Sequence, residues 1–300
     1  MTAIVIDGNL IAEQIRAEVK AKAAAFTKKT GYPPGLGAVF AGDNPASAQY
    51  VRMKRRACEQ VGFHSAAQIM PDTCTQGEVE AAVKLLNDDP YIHGILVQLP
   101  LPAHIDEEAV LRMVNLDKDV DGFHPINIGL LGMKGREPSF TPATPTGCMV
   151  LLEAAGVNLE GANAVVIGRS NIVGLPMALM LMKANATVTV CHSRTRDIQR
   201  HVREADVVIA AIGKPHFVQG NWLKPGAVVI DVGTNRIDDS NDPRGYRFVG
   251  DVDFDSALHV AGAISKVPGG VGPMTITMLL ANTLKAAARF ADNARPNVEG

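Results

Sequence analysis

A strand, a glycine loop and the start of a helix follow one another at residues 164–176, and this order restricts the fold more than any other segment. Short apolar runs at residues 164–167, 187–190, 207–210 and 228–230 predict four buried strands, with helical segments between the first three. Strands that alternate with helices pair in parallel through right-handed crossovers. The second half of the chain therefore predicts a doubly wound, Rossmann-like parallel sheet.

The glycine loop keeps the first and last glycines of the dinucleotide-binding pattern, Gly168 and Gly174, and has Ser170 at the middle position. The backbone amides of such a loop, and of the helix that follows, suit a pyrophosphate group. A lone glycine loop is weak evidence, because short motifs of this kind also occur by chance. The four regularly spaced strands around this loop favour a dinucleotide site.

The residues after the second of these strands distinguish NAD from NADP. A protein that binds the free 2′-hydroxyl of NAD usually carries an acidic residue there. This chain carries Ser193 and Arg194 instead, and Arg169 of the glycine loop supplies a second cation. Hydroxyl and guanidinium groups suit the extra phosphate of NADP, which we therefore predict as the cofactor. The alternative is that both arginines are solvated surface charges.

Two further loops follow the third and fourth strands, at residues 210–215 and 231–235. Sheets of this type bind ligands beyond the carboxyl ends of their strands. The glycines Gly213 and Gly233 would allow a nicotinamide ribose to approach the backbone closely. Tight turns would also account for both glycines.

The first half of the chain carries another series of strands and helices. The predicted strands are residues 36–40, 63–70 and 92–98, and the predicted helices are residues 10–30, 47–62 and 75–86. Residues 115–147 are polar at first and then rich in proline, which indicates a connection between two domains.

The predicted fold class is therefore α/β, with two α/β domains, a cleft between them and the Rossmann-like sheet in the second domain. We assign residues 1–145 and the C-terminal helix, residues 273–292, to the first domain. Residues 146–272 form the second domain.

The predicted helix at residues 47–62 carries an aromatic ring and an amine on one face, Tyr50 and Lys54. A flat substrate could stack on Tyr50 while Lys54 transfers protons. An ordinary amphipathic helix, with a half-buried tyrosine and a solvated lysine, explains the same residues.

Three other features suit a ligand. Gln98 ends a predicted buried strand, where its amide can orient Lys54 or a water molecule. The carboxylate of Asp121 can accept two parallel hydrogen bonds from a guanidine-like edge, such as that of a pterin or a guanine. A glycine-rich loop at residues 267–273 precedes the last helix and could close over a ligand. A loop-capping glutamine, an Asp-Gly turn and a linker are the respective alternatives.

Charge and composition argue against several classes of protein. The net charge of −2 argues against a nucleic-acid-binding protein. The sequence contains no run of about 18 apolar residues, and we therefore expect neither a transmembrane helix nor a membrane partner. The four cysteines lie far apart, which makes a structural metal and a disulfide framework unexpected. We therefore predict a cytoplasmic protein with no metal.

Five motifs together resemble one family. They are Tyr50-Val51-x-x-Lys54, Val97-Gln98-Leu99-Pro100-Leu101-Pro102, Lys118-Asp119-Val120-Asp121-Gly122-Phe123, Gly168-Arg169-Ser170-x-Ile172-Val173-Gly174-x-Pro176 and Pro268-Gly269-Gly270-Val271-Gly272-Pro273. Their order and spacing are similar to those of the bifunctional methylenetetrahydrofolate dehydrogenase/methenyltetrahydrofolate cyclohydrolase family. The resemblance covers residues 6–288, nearly the whole chain.

This resemblance implies a homodimer that acts on tetrahydrofolate derivatives in one-carbon metabolism and purine biosynthesis. The implied enzyme oxidises 5,10-methylenetetrahydrofolate with NADP to 5,10-methenyltetrahydrofolate and then hydrolyses it to 10-formyltetrahydrofolate. The folate would lie in the cleft, with its aminobenzoyl ring over Tyr50. Lys54 resembles the catalytic lysine of the family, Gln98 its partner and Asp121 the residue that holds the pterin.

The candidate site residues follow from the motifs and the resemblance together. The catalytic residues are Tyr50, Lys54, Gln98 and Asp121. The cofactor-binding residues are Gly168, Arg169, Ser170, Ile172, Ser193, Arg194 and Thr234. The substrate-binding residues are Tyr50, Val97, Gln98, Leu99, Asp121, Pro268, Gly269 and Gly270.

Hydrolysis requires some neutral Lys54 amine, and we expect Arg52, Arg55 and Arg56, together with partial burial, to favour that form. Two other functions are compatible with parts of the sequence. A dehydrogenase of a small carboxylic acid that uses NADP would explain the glycine loop but leave Tyr50 without a role. A non-catalytic NADP-binding protein would have no need of Lys54 beside an aromatic ring.

Overall fold

The structure is a computed structural model that describes residues 2–43 and 45–293, with the backbone alone at residues 45 and 46. The strands are β1 (Ile4–Ile6), β2 (Gly35–Ala41), β3 (His64–Met70), β4 (Gly94–Val97), β5 (Asn163–Ile167), β6 (Thr187–Cys191), β7 (Val207–Ala210), β8 (Val228–Asp231), β9 (Asn235–Asp238), β10 (Tyr246–Val249) and β11 (Ala263–Ser265). The helices are α1 (Gly8–Thr30), α2 (Pro45–Val61), α3 (Gln76–Asp88), α4 (Glu107–Met113), α5 (Pro125–Leu131), α6 (Ala143–Ala154), α7 (Gly174–Lys183), α8 (Ile198–Arg203), α9 (Phe254–Leu258) and α10 (Val271–Asn293). No helix within the described ranges is both long and apolar enough to cross a membrane.

The chain divides into two compact units. The Lys54 unit comprises the described residues of the ranges 14–130, 137–143 and 276–293. The glycine-loop unit comprises those of the ranges 2–13, 131–136 and 144–275.

The Lys54 unit contains a three-stranded parallel sheet in the order β3-β2-β4. All seven residues of β2 are buried, which is why this central strand appears in the sequence as a continuous apolar run. Val39 of β2 and Ile95 of β4 pack with Val83 of α3 in one apolar cluster. The sheet thereby fixes the carboxyl end of β4, where Gln98 follows.

The glycine-loop unit contains a six-stranded sheet in the order β1-β11-β8-β7-β5-β6, and all of its pairs are parallel. β6 lies on one side of β5 and β7 on the other, so the strand order reverses at β5. Parallel α/β sheets bind ligands at such a reversal, outside the carboxyl ends of the strands. The predicted two-domain α/β fold with a doubly wound parallel sheet is confirmed.

The sequence predicted four of the six strands of this sheet and missed β1 and β11. We assigned residues 1–145 to the first domain, but β1 pairs with β11 in the glycine-loop unit, with Ile4 opposite Ala263. A strand of three residues has too few positions to show a periodic pattern. The C-terminal helix assigned to the first domain is α10, whose residues 276–293 lie in the Lys54 unit.

Two helix starts also differ from the predicted ones. α2 begins at Pro45 rather than near Ser47. The Thr144-Pro145 pair predicts a helix with Thr144 as its cap and proline at the first helical position, but α6 begins at Ala143. Proline is tolerated in the first turn of a helix, where amides have no acceptor within the helix, so neither proline marks the boundary by itself. Thr75, followed by Glu78 three residues later, is the sequence pattern of a capping box, and this capping box is present at the start of α3.

Candidate active site and cofactor loop

Lys54 lies on α2 with only 8% of its surface exposed. Its Nζ donates a hydrogen bond to Oε1 of Gln98 at 3.1 Å. Gln98 directly follows β4, and its backbone amide donates to the carbonyl oxygen of Val39 at 2.8 Å. Its Nε2 donates to the carbonyl oxygen of Leu99 at 2.9 Å, which turns the amide oxygen toward the lysine. The structure thus brings the two predicted partners together.

Burial lowers the pKa of Lys54 below its ordinary value of 10.5, and the negative charge of Asp121 opposes this effect. The expected contribution of the neighbouring arginines is not the main cause. Arg52, Arg55 and Arg56 are exposed to solvent, and the loss of hydration of Lys54 outweighs its other interactions. The neutral amine is therefore favoured by the depth of the site rather than by a cationic surface.

Asp121 completes this cluster of titratable groups. It is 9% exposed, and burial raises its pKa to about 6, against the attraction of Lys54. Asp119 also has its pKa raised to about 6 by burial. It accepts hydrogen bonds from the backbone amide of His124 at 2.9 Å and from Nδ2 of Asn127 at 2.7 Å. Asp119 therefore fixes the loop that carries Asp121.

Three other predicted residues lie next to Lys54 or Gln98 in the chain or along the helix. Tyr50 is half-buried and lies one helical turn before Lys54, so part of its ring is open to a ligand. Val97 ends β4 and is buried, and Leu99 is half-buried just beyond Gln98. Tyr50 is therefore a near neighbour of Lys54 on α2, and Val97 and Leu99 flank Gln98 in the chain.

The glycine loop is packed too tightly to accommodate a side chain at Gly168 or Gly174. A Cβ atom at Gly168, where φ is +126°, would lie 2.1 Å from the carbonyl oxygen of Ala211. A Cβ atom at Gly174 would lie 2.3 Å from the carbonyl oxygen of Gly168. Oγ of Ser170 accepts from the backbone amides of Val173 at 3.2 Å and Gly174 at 3.4 Å. The serine at the variant position thus caps the start of α7.

The turn after β6 presents the residues predicted to bind the extra phosphate. His192 and Thr195 close the turn, since Thr195 N donates to His192 O at 2.8 Å and His192 N donates to Thr195 Oγ1 at 2.9 Å. Ser193 and Arg194 lie at its tip with exposed side chains. The turn contains no carboxylate that could accept from a free 2′-hydroxyl, and the donors of Ser193 and Arg194 fit a 2′-phosphate instead.

The other predicted cofactor residues, Arg169, Ile172 and Thr234, are also exposed. They lie in the loops after β5 and β8, on the same edge of the sheet as the turn after β6. The close packing at Gly168 and Gly174, the start of α7 and the exposed cations together fit a dinucleotide with an additional phosphate.

The predicted substrate loop Pro268-Gly269-Gly270 belongs to the glycine-loop unit. The backbone amide of Asn9 donates to the carbonyl oxygen of Gly269 at 3.1 Å. A Cβ atom at Gly8 would lie 1.9 Å from the carbonyl oxygen of Gly270. The loop is therefore packed against the start of α1, and the candidate substrate residues are divided between the two units.

Two buried carboxylates of the glycine-loop unit were not singled out from the sequence. Asp231 ends β8 and is 3% exposed, and Asp251 lies beyond β10 and is fully buried. Burial, and to a smaller extent the charge of Asp251, raise the pKa of Asp231 to about 7. Gly250 and Gly233 leave room for these carboxylates, because their Cβ atoms would lie within 1.7 Å and 2.3 Å of carboxylate oxygens. In the sequence, the only sign of these buried carboxylates is a glycine close to each aspartate, Gly233 after Asp231 and Gly250 before Asp251.

Two family models cover most of the chain. Residues 6–121 match the catalytic domain of tetrahydrofolate dehydrogenase/cyclohydrolase, and residues 142–291 match its NAD(P)-binding domain. The chain belongs to the tetrahydrofolate dehydrogenase/cyclohydrolase family. The resemblance inferred from the five motifs is thereby confirmed.

Relatives in plants, bacteria and a protozoan support this membership. The chain is 55% identical to the bifunctional protein FolD 1, mitochondrial, of Arabidopsis thaliana, over 96% of this chain and 82% of that protein. It is 55% identical to the bifunctional protein FolD of Burkholderia orbicola, over 97% of this chain and 99% of that protein. The crystal structure of the Trypanosoma brucei methylenetetrahydrofolate dehydrogenase-cyclohydrolase, complexed with NADP cofactor and inhibitor, has a TM-score of 0.93 and 43% identity. It covers 96% of this chain and 98% of that one.

The predicted activity is confirmed by this membership. The chain is a bifunctional methylenetetrahydrofolate dehydrogenase and methenyltetrahydrofolate cyclohydrolase that uses NADP. The carboxylic-acid dehydrogenase and the non-catalytic binding protein are no longer needed to explain the sequence.

Proposed function

We propose that Lys54, Gln98 and Asp121 carry the cyclohydrolase chemistry and hold the pterin of the folate. The observation that carries this proposal is the hydrogen bond of Lys54 to Gln98 at 3.1 Å, made where burial lowers the pKa of the lysine. A lysine that loses its proton readily can act as a base near neutral pH, which an exposed lysine cannot.

In the hydrolysis step, a water molecule attacks the methenyl carbon of 5,10-methenyltetrahydrofolate. Neutral Lys54 takes a proton from the water as the new C–O bond forms. The bond between this carbon and N5 then breaks, and the proton on Lys54 is available to the departing nitrogen. The product is 10-formyltetrahydrofolate, and one proton is released to solvent. Gln98 holds the amine in line with the water throughout.

Asp121 would anchor the substrate by accepting two parallel hydrogen bonds from the amino-pyrimidine edge of the pterin. Burial makes such bonds strong. It also raises the pKa of Asp121 to about 6, a value that is still below neutral pH, and the carboxylate therefore stays mostly ionised there. Tyr50 would stack on the aminobenzoyl ring. Val97, Leu99 and the Pro268-Gly269-Gly270 loop are further substrate contacts in this proposal, on the strength of the family motifs.

For the dehydrogenase step, NADP supplies a nicotinamide ring that accepts the hydride from the methylene carbon of the substrate. The residues of this chain bind and orient it. The glycine loop would hold the pyrophosphate through Gly168, Arg169 and Ser170. Ser193 and Arg194 would bind the 2′-phosphate and so make NADP the preferred dinucleotide. Ile172 and Thr234 would contact the rest of the cofactor.

We also propose a homodimer in the cytoplasm. The edge strand β6 leaves Val190 38% exposed, and Leu175 and Met182 of α7 are 39% and 50% exposed. Apolar side chains beside an unpaired strand edge favour association with a second copy. All four cysteines are free thiols, as expected of a reducing compartment. Light scattering that gives twice the chain mass of 31.8 kDa would support the dimer, and cell fractionation tests the location.

One assay tests the proposed reaction sequence. The purified chain is mixed with 5,10-methylenetetrahydrofolate and NADP, and the absorbance of the methenyl chromophore is followed. We expect the chromophore to appear and then decay as the ring opens. Failure of the chromophore to appear would contradict the dehydrogenase step, and its persistence beyond the non-enzymatic decay would contradict the cyclohydrolase step.

A further inference from the structure

The carboxylate of Asp251 accepts hydrogen bonds from two segments of the glycine-loop unit, the loop after β7 and the start of β9. Its Oδ2 accepts from the backbone amides of Ile212 at 2.6 Å and Gly213 at 2.9 Å. Its Oδ1 accepts from the backbone amide of Lys214 at 2.9 Å and from Nδ2 of Asn235 at 2.8 Å. Four donors on one fully buried carboxylate fix its orientation.

Asp231 fixes the backbone that carries this carboxylate. Its Oδ1 accepts from the backbone amides of Asp251 at 2.9 Å and Gly233 at 3.0 Å, and its Oδ2 accepts from the amide of Val252 at 2.9 Å. The backbone amide of Asp231 in turn donates to Oγ of Ser265 in β11 at 2.8 Å. The position of Asp251 is thereby tied to two strands of the central sheet.

The loop held by Asp251 directly follows β7, next to the strand that carries the glycine loop. In a trans peptide the N–H and the C=O point in opposite directions. Because the amides of residues 212–214 point at Asp251, the carbonyl oxygens of residues 211–213 point away from it. One of these, the oxygen of Ala211, is the atom that leaves no room for a side chain at Gly168. The carbonyl oxygen of Ala211 therefore faces the glycine loop.

We propose that Asp251 is a positioning residue for the dehydrogenase reaction. By holding three successive amides, it directs the carbonyl oxygens of residues 211–213 toward the nicotinamide half of NADP, whose carboxamide and ribose hydroxyls are hydrogen-bond donors. Through Asn235 it also fixes the neighbouring Thr234. This inference rests on the proposed binding of the cofactor at this edge, and it assigns the pyrophosphate half to the glycine loop and the nicotinamide half to Asp251.

The variant Asp251→Asn tests this role with almost no change of shape. An amide has one acceptor oxygen, so its NH2 group would face two of the four donors. The loop after β7 should shift, whereas the glycine loop and the turn after β6 should still bind the rest of the cofactor. The matched control is Asp253→Asn, since Asp253 lies two residues further on and its side chain makes no capping hydrogen bond.

We expect kcat for methylene oxidation to fall by about ten- to a hundredfold in Asp251→Asn, with the Kd for NADP changed by less than about threefold. With substrate deuterated at the methylene carbon, the isotope effect on kcat should increase, because hydride transfer becomes slower than product release. Hydrolysis of supplied 5,10-methenyltetrahydrofolate without NADP should be unchanged, because Lys54 belongs to the other unit. The control should behave as the unaltered chain.

An equal loss of both activities with an unchanged isotope effect would overturn the positioning role, and so would unaltered oxidation kinetics. If Asp251→Asn does not fold, Asn235→Ala removes one of the four donors and should give the same separation of activities on a smaller scale. Equal loss in that variant would likewise overturn the inference. If the unaltered chain itself fails to oxidise the substrate, the proposed cofactor chemistry fails instead.

Discussion

Nζ of Lys54 donates to Oε1 of Gln98 at 3.1 Å, and the acceptor is a neutral amide rather than a carboxylate. A carboxylate at this position would stabilise the charged lysine strongly, whereas an amide does so only weakly. A neutral amine can donate one N–H to the amide and keep its lone pair for a water molecule. The pair therefore orients Lys54 without preventing the loss of its proton.

Replacement of Lys54 by methionine tests the role of the amine. Methionine fills a similar volume in the buried site but cannot accept a proton. We expect hydrolysis of 5,10-methenyltetrahydrofolate to slow by about a hundred- to ten-thousandfold, with folate binding largely kept. The decay of the methenyl chromophore gives the rate. The control is Lys84→Met, since Lys84 has a side chain 69% exposed. Unchanged ring opening in Lys54→Met would remove Lys54 from the mechanism.

The pH dependence of hydrolysis should follow the ionisation of Lys54. Because burial lowers its pKa, the rate should rise with pH and level off below the ordinary value of 10.5. Gln98→Glu places a second negative charge beside the amine, which raises the pKa of Lys54 and shifts the profile to higher pH. Gln98→Met removes the hydrogen bond without adding charge and should give no such upward shift. Identical profiles for both variants would contradict the assignment.

Asp121→Ala tests the anchoring of the pterin. Loss of two hydrogen bonds to a buried carboxylate should weaken folate binding by about tenfold or more, measured as the Kd by fluorescence titration. The control is Asp117→Ala, an exposed carboxylate four residues earlier in the same connection. An affinity close to that of the unaltered chain would show that Asp121 does not hold the substrate.

The sequence was sufficient where a local pattern fixes the structure. The fully buried run of β2 and the capping box of α3 both produce signals within a few residues. Gln98 is held to β2 by the hydrogen bond of its backbone amide to Val39. The resemblance to a family then connected residues that lie 44 positions apart. The pairing of Lys54 with Gln98 was therefore available before the structure.

The rest depended on contacts that leave no trace in the side chains. Asp251 bonds to the backbone amide of Ile212, which lies 39 residues earlier, and any residue other than proline could supply that amide. β1 joins the sheet through backbone hydrogen bonds, while Ile4 is 71% exposed. The cause of the lowered pKa of Lys54 was misjudged for a related reason, since charge is visible in a sequence and depth of burial is not.

Arg194→Ala tests the preference for NADP. We expect the ratio of kcat/KM for NADP to that for NAD to fall by about ten- to a hundredfold, because a charge-assisted contact to the 2′-phosphate is lost. The control is Arg200→Ala, whose side chain is 75% exposed on α8. An equal decrease with NADP and NAD would indicate a general effect of positive charge rather than recognition of the phosphate.

His93 is a buried histidine on which the pH dependence of stability should rest. It is 2% exposed, its ring stacks on Tyr32, and the edge of Phe290 meets it at 5.5 Å between ring centroids. Nδ1 accepts from the backbone amide of Gly35 at 2.9 Å, so the proton of the neutral ring is on Nε2. Burial, and then the charge of Lys118, lower its pKa from 6.5 to about 4.

A histidine that must stay neutral in the folded state makes its full contribution to the free energy of unfolding above the unfolded pKa of 6.5. As the pH falls from 6.5 toward 4, the unfolded chain takes up a proton that the folded chain does not, and this contribution is lost. The two values correspond to about 3 kcal/mol of unfolding free energy. His93→Asn keeps an acceptor for Gly35 but cannot titrate. Urea unfolding at pH 7.5 and pH 5 should show a smaller pH-dependent loss of stability in this variant, although it is less stable at both pH values. The same loss in both proteins would mean that His93 already takes up its proton in the folded state.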